Sequence, residues 1–398
     1  MGRIQNASLL TTLHENVGDD LIRYGVMHLV ASIEGADWRW RMWTKSNPLS
    51  AALNLGSLST CTTHRQPRLV RRCLERAQRG LKRLPGRWQY GRVLGADVVI
   101  LCGTPLIYLL PSTGFHISET WPHDLLAIKG LAPTKPMVAV GVGSILRPNA
   151  EEALARHPEA ASLIRELFRD LSLFYCRDSA TLQLLQKCGV KATSEANLGP
   201  CPSLWAVDHF GIRRRKSTNG PTLCISFSLE SSDWAANAAE DLAIRWRLIS
   251  ALIARCRQEK IRIKYLAHNE IDVRACAQLK AKIPAAEADE LHVVDARGLL
   301  GELSDAIGLV TWRVHGAMAA RSLEVPTLLI ATDSRFLTAA ECGVETVPNA
   351  DESLGRIQTL LGEWLQETPG VAGQGIAQLK DGWKEKLRRM WQSQVSNR

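Results

Sequence analysis

Along the whole chain, short apolar runs alternate with longer segments whose apolar positions recur every three or four residues. The first kind predicts buried strands, the second amphipathic helices. Ala7-Ser8-Leu9-Leu10 opens the series as a strand, followed by a polar loop around Asn16 to Asp20 and a helix from Leu21 to about Ile33. Strands follow at Val98 to Leu101, Met137 to Gly143 and Leu173 to Cys176, with a helix over about Ala160 to Leu171 between the last two. The chain then reads Arg177-Asp178-Ser179; Asp178 or Ser179 suits a helix N-cap, and Gly189 suits its C-terminal stop. Trp38, Trp40 and Trp43 fit a strand edge or a surface for sugar rings equally well.

The character changes at Phe210. Gly211 to Pro221 is polar, basic and rich in turn formers, which predicts an interdomain linker. A second series begins beyond it with strand Leu223 to Phe227, helix Ala238 to Glu259 and strand Ile261 to Leu266. It continues through strands at Leu291 to Val294, Gly308 to Thr311 and Thr327 to Ala331, each separated from the next by a helical segment. From about Asp351 the chain is helical and charged. The expected organisation is an N-terminal Rossmann-like domain over 1–210, a linker over 211–221, a C-terminal Rossmann-like domain over 222–345 and C-terminal helices over 346–398. Two Rossmann-like α/β domains facing a cleft make a GT-B-like architecture, by analogy of fold. In such sheets ligands gather at the carboxyl ends of the strands, so the segments just after strands are where chemistry is expected.

A chain of 398 residues with 45% hydrophobic and 22% charged residues has the balance of a two-domain globular protein. No apolar run approaches the roughly 20 residues that span a bilayer, and Met1 to Leu10 lacks the pattern of a signal peptide. The 10 cysteines form no C-x-x-C pair, so reduced, buried thiols and a cytoplasmic location are expected. The net charge of +9 calls for an anionic partner. Its densest part is 65–92, with ten Lys or Arg residues against Glu75 and apolar residues at helical spacing. That segment reads either as a solvated helix face or as a peripheral contact for the inner membrane surface or a lipid-linked acceptor. Nucleic acid is disfavoured, because no aromatic-interleaved or zinc-knuckle pattern accompanies the charge.

Four segments in order carry a resemblance. They are Asn16-Val17-Gly18-Asp19-Asp20, Arg177-Asp178-Ser179 with Gly189-Val190 behind it, Gly199-Pro200-Cys201-Pro202, and Arg313-Val314-His315-Gly316 running on to Asp333-Ser334-Arg335. Together they resemble the polysaccharide pyruvyl transferase family over roughly residues 7 to 340. The family's Gly-Gly-Gly turn after the Val98 strand stands here as Cys102-Gly103-Thr104, its late lysine as Arg335, and Ser226 to Glu230 lacks an arginine often found there.

The resemblance implies transfer of the enolpyruvyl group of phosphoenolpyruvate to sugar hydroxyls of a polysaccharide or its precursor, forming a pyruvate ketal. It implies no cofactor and no metal, only phosphoenolpyruvate as donor. Arg177 and Arg313 suit its phosphate and carboxylate, because guanidinium binds both bidentately. His315 is the expected general acid at C3; were 313–315 extended, its side chain and that of Arg313 would share a face. Asp19 is expected at the acceptor hydroxyl, with Asn16, Gly18, Gly103, Asp178, His268 and Arg335 as further substrate-binding residues. His268 and Asp272 resemble a His/Asp position of the family, though a surface loop is the plainer reading of that stretch. Two other functions fit the pattern: a GT-B glycosyltransferase using a nucleotide sugar, and a non-catalytic family member.

Overall fold

The computed structural model describes residues 5–11, 17–35, 37–43, 91–103, 105–110, 114–117, 121–146, 150–156, 158–217, 220–229, 237–286, 289–366 and 375–396. Asn16, Thr104 and nearly all of the basic stretch 65–92 lie outside them. The chain divides into two compact units, residues 1–202 with 381–398, and residues 203–380. No described helix is long and apolar enough to cross a membrane.

In the first unit, β1 (Gln5–Leu10), β2 (Trp38–Trp43), β3 (Val98–Cys102), β6 (Met137–Ile145) and β7 (Leu173–Cys176) run parallel in the order β2-β1-β3-β6-β7. A hairpin that the apolar pattern did not announce, β4 (Pro105–Leu110) and β5 (Gly114–Ile117), joins the sheet along the second half of β6. Helix α1 (Val17–Glu34) starts four residues before the expected Leu21, with Asp19 and Asp20 in its first turn, where carboxylates favour the positive end of the helix. Trp38 and Trp40 stack on one face of edge strand β2, their centroids 5.4 Å apart. The strand-edge reading of those tryptophans therefore holds.

The second unit carries a six-stranded parallel sheet: β8 (Thr222–Ser226), β9 (Arg262–Ala267), β10 (Glu290–Val293), β11 (Gly308–Thr311), β12 (Thr327–Ala331) and β13 (Glu345–Pro348). Its order, β10-β9-β8-β11-β12-β13, is that of a Rossmann sheet, reversing between β8 and β11. Leu223, Ile225, Leu248, Leu252, Tyr265, Leu328 and Leu360 pack its core. The basic run after Gly211 lies along this unit: the Arg215 backbone N–H donates to the Ser304 carbonyl at 2.7 Å, and its guanidinium to the Ser304 hydroxyl. The last helix, Ile376–Trp391, packs its end on the first unit, with the Trp383 ring 4.9 Å from Tyr175 and Trp391 edge-on to Trp38.

Candidate functional site

Two clusters lie at strand ends, one in each unit. In the second unit the cluster lies at the reversal between β8 and β11, the place where doubly wound sheets take their ligands. Thr311 ends β11 and fixes the residue that follows, its hydroxyl accepting the Arg313 N–H at 2.8 Å. Helix α12 (Val314–Ser322; the two units' helices are numbered together in chain order) then begins at once, with Arg313 as its N-cap. The extended geometry expected for 313–315 therefore ends at Arg313, and His315 sits in a helical first turn, almost fully buried. Arg313 offers no side-chain cap, in contrast to Asn237, Asn269 and Asp295, whose side chains cap α9 (Ala238–Gln258), α10 (Glu270–Lys282) and α11 (Ala296–Leu303). The first turn of α12 points its N–H groups and the positive end of its dipole toward the end of β11, which suits an anion.

Each arginine here meets an aspartate. Arg313 Nη2 donates to Asp272 Oδ1, and Asp272, 0% exposed, also accepts the His268 backbone N–H at 3.1 Å. Arg335 grips Asp333 through Nε and Nη2. Arg245, 2% exposed on α9, lies 2.8 Å from Asp241 and donates to the Ser228 carbonyl just past β8. Asn349 holds Asp241 in turn, at 2.7 Å. The surface-loop reading of His268 and Asp272 is overturned, because both are buried behind α12. A Cβ on Gly316 would stand 3.6 Å from His268 Nε2, which places that ring against the first turn of α12. Burial lowers the His268 pKa to about 4 despite Asp272, and the Arg313 charge pushes the same way, so this imidazole is neutral at ordinary pH.

The first unit is built differently. Gly141 adopts φ +72° and shifts the β6–β7 register by one residue, a bulge that turns the strand. The Gly103 N–H donates to the Val140 carbonyl at 2.8 Å, and a Cβ on Gly103 would stand 2.2 Å from the Gly141 oxygen. Only the middle residue of Cys102-Gly103-Thr104 is thus shown to need glycine; Cys102 completes β3 as a buried thiol, pushed up to about 12 by burial. Arg177, 1% exposed, donates through Nη1 to the Gly103 carbonyl at 3.1 Å, and its guanidinium lies where a Cβ on Gly143 would be. Its Nε and Nη2 have no hydrogen-bond partner, and no carboxylate pairs with it, among the described residues. Asp178 caps α6 (Ser179–Lys187), accepting the Thr181 N–H at 2.8 Å. Gly18 and Asp19 are buried at the start of α1, and Arg23, one turn further, pairs with Asp20 at 2.6 Å.

The structure thus brings Arg313, His315, His268 and Arg335 to one unit's strand ends and Gly18, Asp19, Gly103, Arg177 and Asp178 to the other's. Sequence reasoning missed Arg245, Asp241 and Arg23. Their signal was legible: Asp241 and Arg245 continue the stripe of Leu248, Ile249 and Leu252, and Arg23 sits beside Ile22 and Val26, so charges interrupt otherwise buried helix faces.

The described cysteines are all buried. A model of the polysaccharide pyruvyl transferase family matches residues 16–334. No curated protein matches the chain. Among solved structures, UDP-N-acetylglucosamine 2-epimerase from Rickettsia bellii is similar at 14% identity and TM-score 0.55, over 100% of this chain and 98% of that one. Trehalose 6-phosphate synthase from Burkholderia multivorans is similar at 11% identity and TM-score 0.54, over 100% and 99%. UDP-GlcNAc 2-epimerase from Neisseria meningitidis, solved with UDP-GlcNAc, matches at 12% and 0.52, over 97% and 100%. Likeness at such identities speaks for the fold alone, which is GT-B-type α/β.

Proposed function

Since the chain belongs to the polysaccharide pyruvyl transferase family, we propose that it moves the enolpyruvyl group of phosphoenolpyruvate onto sugar hydroxyls of a polysaccharide or its precursor, forming a pyruvate ketal. Family membership itself carries the sugar or polysaccharide acceptor. The observation that supports the donor is the first turn of α12 at the end of β11, bearing His315 and flanked by an Arg313 that Asp272 orients. Backbone N–H groups and a guanidinium together form a receptor for a phosphate or carboxylate.

In this reading Arg313 and the α12 N-terminus hold the donor's anionic groups. His315 delivers a proton to C3, turning the methylene into a methyl group, and C2 becomes electrophilic. A sugar hydroxyl adds to C2, and a second hydroxyl displaces phosphate to close the ketal. One hydroxyl proton replaces the proton His315 gave, and the other leaves on hydrogen phosphate. In the first unit, Asp19 is assigned to an acceptor hydroxyl and Arg177 to an anionic group of a bound substrate. Arg177 suits that role because two of its three nitrogens have no hydrogen-bond partner among the described residues. Phosphoenolpyruvate serves as co-substrate, and no other cofactor is invoked.

His315→Ala is expected to abolish turnover while leaving the circular dichroism spectrum and phosphoenolpyruvate binding in place. Calorimetric titration with phosphoenolpyruvate, using Arg313→Ala as control, should show saturable binding that the variant loses. Binding of a nucleotide sugar in place of phosphoenolpyruvate would overturn the reading in favour of a glycosyltransferase.

A further inference from the structure

At the strand ends of the second unit, Ser226 Oγ, Arg245 Nε and His268 Nε2 are buried without a hydrogen-bond partner among the described residues, and Arg245 Nη2 has only its ion pair with Asp241 at 2.8 Å. Buried polar groups of folded proteins are otherwise nearly always bonded, so such a group calls for a partner from outside the chain. Ser226 and His268 stand at the ends of neighbouring strands, and Arg245 reaches the end of β8 from α9. Ser226 ends β8, beside Thr311 of β11 in register; Arg245 is bonded to Ser228 just past β8; and His268 follows β9 against the first turn of α12.

The geometry points to a phosphoryl-binding wall along the ends of β8 and β9, in which Arg245 supplies the charge and Ser226 and His268 the neutral hydrogen bonds. It rests on the donor assigned above and says which end of that donor lies here. Arg245 is the anchor. Asp241 and the Ser228 carbonyl each hold one of its terminal nitrogens, while Asn349 fixes Asp241 and accepts from the Trp312 indole at 3.4 Å. The guanidinium is therefore immobilised while Nε and Nη2 still lack a hydrogen-bond acceptor among the described residues. Its charge is felt at Arg313 and Asp333, on the loops after β11 and β12, so it belongs to the same electrostatic field. A carboxylate is planar and one arginine fork serves it, whereas a phosphoryl group presents three oxygens in a tetrahedron and draws donors from several elements at once. The neutral state of His268 agrees with a hydrogen-bonding role at a site already rich in cations.

The test is calorimetric titration of the full chain with inorganic phosphate, phosphoenolpyruvate and pyruvate. Arg245→Met alone would strand a buried carboxylate, so it is combined with Asp241→Asn, which removes both members of the pair. The double variant should bind phosphate and phosphoenolpyruvate about tenfold or more weakly, and pyruvate within about twofold of wild type. Ser226→Ala should weaken phosphate roughly threefold. Unaltered phosphate and phosphoenolpyruvate affinity in the double variant overturns the wall and leaves the proposed activity standing. Parallel loss of pyruvate binding also overturns it, since the site as a whole has then collapsed. Absence of phosphate and phosphoenolpyruvate binding by the wild type overturns the wall together with the donor assignment.

Discussion

The strand-end clusters of the two units solve one physical problem, keeping arginines out of water, in opposite ways. In the second unit Arg245, Arg313 and Arg335 are matched by Asp241, Asp272 and Asp333. In the first, Arg177 is as deeply buried as any of them, yet among the described residues its side chain hydrogen-bonds only the Gly103 carbonyl, and glycine at 143 makes the space it fills. A paired buried arginine is held by its carboxylate and is costly to disturb from either side. An unpaired one is strained by its own desolvation and gains from any anion that reaches it. The paired arginines of the second unit are thus built for orientation, whereas Arg177 in the first is a cation kept in reserve.

The sharpest way to break the comparison is Asp272→Ala. It removes the buried carboxylate that Arg313 donates to and should cost about 3–5 kcal/mol, read as a lower urea midpoint for the second unit. A cost no larger than that of an exposed substitution would mean that Asp272 does not hold Arg313. Next comes Gly103→Ala, whose Cβ would meet the Gly141 oxygen at 2.2 Å; separating the β3 and β6 ends should cost about 1–3 kcal/mol and lower activity.

The His268 contribution is smaller and depends on pH. Its folded pKa of about 4 lies below the ordinary 6.5, so between those values the unfolded chain binds the extra proton and stability falls as pH falls. His268 should make the wild type lose roughly 1.5 kcal/mol between pH 6.5 and 5. His268→Gln should flatten that part of the profile in urea titrations at the two pH values; an unchanged slope would mean His268 is not held neutral. The smallest effect on stability is expected from Arg177→Met, which strands no carboxylate. It should shift stability by less than about 1 kcal/mol, or raise it, while activity is lost. Destabilisation as large as that of Asp272→Ala would erase the contrast between the units.

Much of the fold was legible because its signals are local. The apolar runs at Val98, Leu173, Gly308 and Thr327 became strands within a residue or two of where the pattern placed them. Asp178 became an N-cap because a short carboxylate before a helix reaches the N–H three residues on, whatever surrounds it. The hairpin β4–β5 escaped notice because it pairs against a partner strand far along the chain. His268 and Asp272 were misplaced on the surface because a polar stretch after a strand looks alike whether solvent or α12 covers it.

The sequence by itself determined two α/β series, the motifs that follow their strands and the caps that start several helices, all set by residues within a turn or a strand of one another. The tertiary structure alone decided the sheet order, the return of the last helix to the first unit, and which charge meets which. Arg313 finds Asp272 across 41 residues and Arg177 finds the Gly103 carbonyl across 74. Contacts of such separation form only when whole faces pack and close long loops, so the free energy that selects them belongs to the assembled core and not to any window of sequence.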